Sequence, residues 1–135
     1  MSTEWYLQAH SYGDDQFISS EKIQSVLFSY QNQIEDACVV VELPEGYVDF
    51  YVDLSGEISG LMISRPIESS TLNKIIYKIM QCGRFIFFAP DAKYPIVLCA
   101  EVIDHLPDEM LESLGKPLIA DDPETFSCLL QEMFE

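Results

Sequence analysis

The chain has little positive charge: only 7 of its 135 residues are Lys or Arg, against 23 Asp and Glu, a formal net charge of −16. A surface that reads phosphates must gather several cations into one patch. Here they are scattered over positions 22, 65, 74, 78, 84, 93 and 116, which argues against nucleic acid and anionic membrane as partners. Histidine is scarce as well, with His10 and His105 the two imidazoles available for acid–base work near neutral pH. There is no G-x-S-x-G, no H-E-x-x-H and no Gly-rich phosphate loop, so no catalytic residue and no cofactor site is indicated. The 4 cysteines, Cys38, Cys82, Cys99 and Cys128, have no C-x-x-C spacing and sit among apolar neighbours, and are therefore expected to be small buried hydrophobes. With the thiols buried, a zinc site of three or four N or S ligands cannot be assembled, and no metal is expected. No apolar run approaches the roughly 18 residues of a membrane span, and no basic-then-apolar leader opens the chain. A cytoplasmic protein with reduced thiols and no membrane contact is the expectation. Repeats, low-complexity tracts and Pro/Gly/Ser linkers are all missing, so residues 1–135 are read as a single domain.

What the chain does have is core-forming material: 48% hydrophobic residues, with 12% aromatic. That composition excludes a disordered acidic tail, and a domain of this size buries roughly two thirds of its unfolded surface without needing a disulfide or metal. The acidity is therefore displayed by a folded surface. A field of this sign repels nucleic acid and speeds encounter with cationic proteins by about 10-fold to 10³-fold at low salt.

The hydrophobic periodicity predicts the order β-α-β-β-β-α-β-β-α-α. Trp5 to Ala9 reads as a first strand, followed by a turn at Gly13-Asp14-Asp15. Ser20 is placed to cap a helix with Ile23, Val26, Leu27 and Tyr30 along one stripe. Three alternating segments follow, Ala37 to Leu43, Tyr47 to Leu54 and Glu57 to Ser64, separated by Pro44-Glu45-Gly46 and Ser55-Gly56 as an antiparallel meander requires. A helix capped by Ser70 carries Leu72, Ile75, Ile76 and Ile79, with Gly83 as its stop. Arg84 to Phe88 and Ile96 to Glu101 read as strands, and Pro107 opens a short helix over Asp108 to Leu114 closed by Gly115. A last helix follows the D-x-x-E box of Asp121 to Glu124 and carries Phe126, Leu129, Leu130 and Met133. These elements predict an α+β domain: an antiparallel sheet of about five to six strands with helices packed on one face.

In the middle strand of the meander Val48, Phe50, Val52 and Leu54 share the inner face, leaving Asp49, Tyr51 and Asp53 on the other. With Glu57 nearby, these carboxylates are candidates for an acid–base pair, but a pair on an open antiparallel face is ordinarily solvated. The same face suits docking: charges steer a cationic partner and the Tyr51 ring anchors it. Asp49, Tyr51, Asp53 and Glu57, with Asp14 and Asp15 in the early loop, are the expected partner-binding residues. His105-Leu106-Pro107-Asp108-Glu109 is the nearest thing to a metal cluster, and it reads more simply as a helix start with acids at the positive end of the dipole.

The run GLMISRP (Gly60 to Pro66), the helix IYKIMQCG (Ile76 to Gly83), the hairpin segment RFIFFAP (Arg84 to Pro90) and HLPDEMLESLGKPLI (His105 to Ile119) follow one another in an order that resembles the small acidic immunity proteins of bacterial toxin systems. These are the proteins of contact-dependent inhibition, polymorphic toxins and type VI secretion, and the resemblance, one of layout, size and charge, spans Tyr47 to the carboxyl terminus. It implies a non-catalytic cytoplasmic protein that binds one cognate toxin domain and blocks its active site or an essential surface. Many such toxins are nucleases, whose basic cleft suits an acidic inhibitor. Two other classes stay open: a DNA-mimic inhibitor of nucleic-acid-binding proteins, and a small metabolic enzyme, which requires a deep pocket holding His10 or His105 beside a shifted carboxylate.

Overall fold

A computed structural model describes residues 4–134. Strand β1 (Glu4–Ser11) alternates so that Trp5, Leu7 and Ala9 are buried on one face. The chain then reverses through Tyr12 and Gly13, at φ 50° and 86°, the positive values that a tight two-residue hairpin loop prefers. Asp14 and Asp15, expected in the turn, instead form β2 (Asp14–Asp15), paired with Ser11 and His10. After β3 (Ile18–Ser19) comes α1 (Ser20–Leu27), capped by Ser19, whose hydroxyl accepts the Glu21 N–H; Ser20 is buried and donates to the Leu54 carbonyl.

The meander runs through β4 (Asn32–Glu35), β5 (Cys38–Leu43), β6 (Gly46–Tyr51), β7 (Glu57–Ile58) and β8 (Gly60–Ser64). Strand β6 pairs with β8, whereas β7 turns aside to pair with β3. Helix α2 (Ser70–Met80) is capped by the Ser69 hydroxyl, which accepts the Leu72 N–H at 3.1 Å, and buries the expected Leu72, Ile75, Ile76 and Ile79. Gly83 is not its left-handed terminator: the helix ends at Met80, and Gly83 stays free of a side chain because a Cβ there meets the Ile18 side chain. Strands β9 (Phe85–Phe88) and β10 (Ile96–Val97) follow, and the second is much shorter than expected. Extended Cys99 starts α3 (Ala100–Asp104) where a strand had been read, because a short apolar run such as Val102-Ile103 fits either period. Helix α4 (Asp108–Leu114) ends on Gly115 at φ 84°, as the sequence predicts. Strand β11 (Leu118–Ile119) and α5 (Pro123–Glu132) complete the fold, the latter capped by Asp122 accepting the Thr125 N–H at 2.7 Å.

The main sheet has the order β11-β10-β9-β1-β8-β6-β5-β4, with β2 appended to β1. Every pair is antiparallel except β10 with β11, so the α+β class holds, in a sheet of 9 strands rather than five or six. One face carries the principal core, where Leu7, Val39, Phe50, Ile63 and Phe87 meet Ile23 of α1, Ile76 of α2 and Phe126 of α5. On the opposite face Ile86 and Val97 pack with Val102 of α3, Leu106 and the partly buried Leu111 of α4. The helices are thus divided between both faces, a departure from the one-sided packing expected, because β9 and β10 are apolar on both sides. The second face stays open over β8, β6, β5 and β4, where Val40 and Met62 are half-buried and Tyr47 and Tyr51 exposed.

Candidate functional site

The cross-strand register places Glu35 opposite Cys38, Cys38 opposite Tyr51, and Tyr51 opposite Met62. The segments that leave the sheet beyond this row, residues 36–37, 52–59 and 12–17, therefore emerge from one end of it. Two adjacent grooves lie there. The first, about 390 Å³, has Phe17, Tyr51, Glu57 and Ile58 in its walls; the second, about 640 Å³, has Phe28, Ile34, Asp36 and Leu54. Ala37 and Asp53 line both, forming the ridge between them. Four large apolar side chains are exposed around the pair: Phe17 (62%), Ile34 (55%), Tyr51 (43%) and Phe28 (42%). Carboxylates at 36, 53 and 57 stand among them, and among the described residues no Lys, Arg, His or Cys lines either groove.

The ridge is held from several sides. Val52 N–H donates to the Ala37 carbonyl at 3.0 Å, tying the end of β6 to the β4–β5 turn. Asp53 Oδ1 accepts the Ser55 N–H at 2.9 Å and the Ser55 hydroxyl, which fixes the turn that follows. The Leu54 carbonyl accepts from Ser20 and from Gln24 Nε2 at 2.9 Å, and Ser20 N–H donates to Gly56 O at 2.8 Å, so α1 anchors the loop. The Ser55 hydroxyl and N–H hold the Asp53 carboxyl below the usual carboxylate range, keeping it anionic at neutral pH. These bonds use Oδ1 of a carboxylate that lines both grooves.

Of the six residues expected to bind a partner, Tyr51, Asp53 and Glu57 come together in the first groove. Asp14 and Asp15 are exposed on β2, outside both grooves and separated from Phe17 only by Gln16. Asp49 departs from expectation. Its parity is as read, but its side chain is only 8% exposed, and Oδ2 accepts from Arg65 Nη2 at 2.6 Å and Nε at 3.1 Å. Arg65, at φ 53°, folds back over the open face to reach it, so Asp49 is an internal partner and not a free docking charge. The sequence reading omitted Phe17, Phe28, Ile34, Asp36 and Ala37. The available signal was apolar residues outside any stripe: Phe17 just after the polar run Asp14-Asp15-Gln16, Phe28 beyond the buried Ile23 and Leu27, and Ile34 alone in Asn-Gln-Ile-Glu.

The groups that could support chemistry are placed elsewhere. His10 is buried, and burial pushes its pKa down against the pull of the Asp15 charge and the Asp14 backbone. His105 is buried too: Nδ1 accepts the Tyr12 N–H at 3.0 Å, the ring meets Tyr12 edge-on, and Nε2 lies 3.7 Å from a Glu101 oxygen. All 4 thiols are free, but only Cys38 is buried; Cys82 is half-buried, and Cys99 and Cys128 are exposed, contrary to the reading of all four as core residues. Burial, with the charges of Asp49 and Glu35, raises the Cys38 pKa, which keeps it a protonated, inert thiol. Among the described residues no group of three or more His, Cys, Asp or Glu is disposed to hold a metal ion, and no helix is long and apolar enough to cross a membrane. Exposed carboxylates are spread along the chain, so charge alone does not select a surface; the coincidence of apolar grooves and carboxylates, with no cation among the described lining residues, does. Comparison of the chain with known protein families, with curated proteins and with solved structures gives no match.

Proposed function

We propose that the protein is a stoichiometric inhibitor that binds a cationic protein domain, acting as an immunity protein toward a cognate antibacterial toxin, of which a basic nuclease is the best-fitting class. The observation that carries this reading is the pair of grooves in which exposed Phe17, Tyr51 and Ile34 stand beside Asp53 and Glu57 with no cation in the walls. Aromatic anchors supply affinity once water is excluded, while a net charge of −16 accelerates encounter with a basic surface. A nuclease must keep its phosphate-binding cleft cationic, so it cannot escape an acidic inhibitor by losing that charge without losing its substrate.

The test is to purify a candidate toxin domain encoded by a neighbouring gene, mix the two, and follow toxin activity against added inhibitor. Loss of activity at one equivalent, with unrelated DNA-binding enzymes unaffected, is the expected result. Inhibition of every DNA-binding enzyme tried overturns the reading in favour of a DNA mimic. Absence of any complex with the toxin domain overturns it outright.

A further inference from the structure

We infer that the two grooves receive one short segment of the partner, in which an arginine is flanked by two large apolar side chains: the guanidinium meets Asp53 on the ridge and one apolar group enters each groove. This deepens, and rests on, the reading of the protein as a binder of cationic proteins. The two grooves share Asp53, so a cation placed there has apolar walls on both sides. Asp53 is an exposed anion in the wall of both grooves whose Oδ1 already accepts from Ser55, so its second oxygen is the acceptor with capacity to spare. Asp36 on one side and Glu57 on the other reinforce the same sign.

Other occupants fit less well. A wholly apolar segment buries the Asp53 carboxylate without a partner, which is costly. An isolated cation leaves the rings of Phe17, Phe28 and Tyr51 exposed to water as they are now. A second copy of this chain brings another −16 and the same carboxylates to the contact. Arginine is favoured over lysine because its guanidinium is planar, weakly hydrated and able to stack on Tyr51 or Phe17 while bonding a carboxylate.

The experiment is an amide NMR titration of the full chain with three capped peptides: Gly-Phe-Arg-Leu-Gly, the same peptide with Gln for Arg, and Gly-Gly-Arg-Gly-Gly. The first is expected to shift the amides of Ala37, Asp53, Ser55 and Ser59, with each of the others binding about tenfold more weakly. Asp53→Asn keeps an oxygen for Ser55 but loses the charge, and should weaken the first peptide about tenfold while leaving amides away from the grooves unchanged. Phe17→Ala serves as a second variant that does not touch the turn, with a similar loss expected. Equal binding of the glycine-flanked peptide, shifts scattered over Asp108, Glu109 and Asp122, or an unaltered Asp53→Asn titration overturns the inference. None of these outcomes bears on the toxin-mixing test, so the segment can be refuted while the inhibitor reading stands.

Discussion

The two halves of the sheet are built alike and covered differently. Around β9 and β10 both faces are packed: Phe85, Phe87 and Ile96 face the principal core, while Ile86 and Val97 face α3 and α4. Around β6, β5 and β4 only one face is covered, by Ile23 and Leu27 of α1 and by α2, and the other presents Val40, Tyr47, Tyr51 and Met62 to solvent. The half sealed on both sides turns β9 and β10 inward on either face, leaving Leu118 and Ile119 of its edge strand β11 exposed, and holds the molecule together. The half left open ends in the grooves. What separates a structural from an interactive strand here is thus not hydrophobicity, since both halves are rich in it, but whether a helix has been supplied for the second face.

The sharpest way to break that contrast is to cut a ring from the sealed half. Phe87 is fully buried, meets Trp5 edge-on at 5.4 Å and lies 6.0 Å from Phe126 in a T-shaped pair. Phe87→Ala leaves a cavity between β9, β1 and α5, and should lower stability by about 3–5 kcal/mol in urea unfolding, a large share of the roughly 5–15 kcal/mol available to a domain. A loss below about 1 kcal/mol would show that this half is not tightly packed.

Elements with a strong local pattern were legible from sequence, whereas α3 of the sealed half and the grooved end of the open half were not. The stripe of Leu72, Ile75, Ile76 and Ile79 repeats at helical spacing beside a serine cap, so α2 follows from local pattern, with only the cap displaced from Ser70 to Ser69. Strand β4 left no such trace: Asn-Gln-Ile-Glu has one apolar residue, because an edge strand beyond the helices buries almost nothing. The alternation around Phe50 correctly assigned Asp49 to the far face, but its burial comes from Arg65, 16 residues away and bent back at a positive φ. The grooves are less legible still, since Phe17, Phe28, Ile34 and Asp53 come from four different parts of the chain and share no periodicity.

A second, smaller perturbation locates where the seal ends on β1, the strand that joins the halves. His10 lies buried on the face opposite Leu7 and Ala9. Burial lowers its pKa from the ordinary value of about 6.5, more than the Asp15 charge and the Asp14 backbone raise it. The unfolded chain therefore takes up the proton first, so stability is full above about pH 6.5, declines as the pH falls toward the native pKa, and levels off below it. The slope contributed is at most about 1.4 kcal/mol per pH unit, one proton's worth. Urea midpoints at pH 5 to 8 should show this decline in the wild type and a flatter one in His10→Phe. The same slope in both proteins would mean that the imidazole is hydrated and the seal ends short of it.

The smallest effect on stability belongs to the same chemical change made in the open half. Phe17→Ala removes a ring as large as that of Phe87, but one that is 62% exposed in the wall of the first groove. Little apolar surface returns to water on unfolding that was not already there, so stability should stay within about 0.5 kcal/mol of wild type. Its effect is expected on binding: an aromatic anchor at the centre of a contact is worth about 1–2 kcal/mol or more, so affinity for the toxin domain should fall at least about tenfold, mostly through faster dissociation. Unfolding curves and dissociation kinetics on one preparation separate the two quantities. A ring that proves dispensable for both is ornamental, and the anchoring role then passes to Tyr51, which shares its groove; a ring whose loss destabilises the fold as Phe87 does would mean that the paired strands β3 and β7 are packed by it and that this end of the sheet is sealed after all.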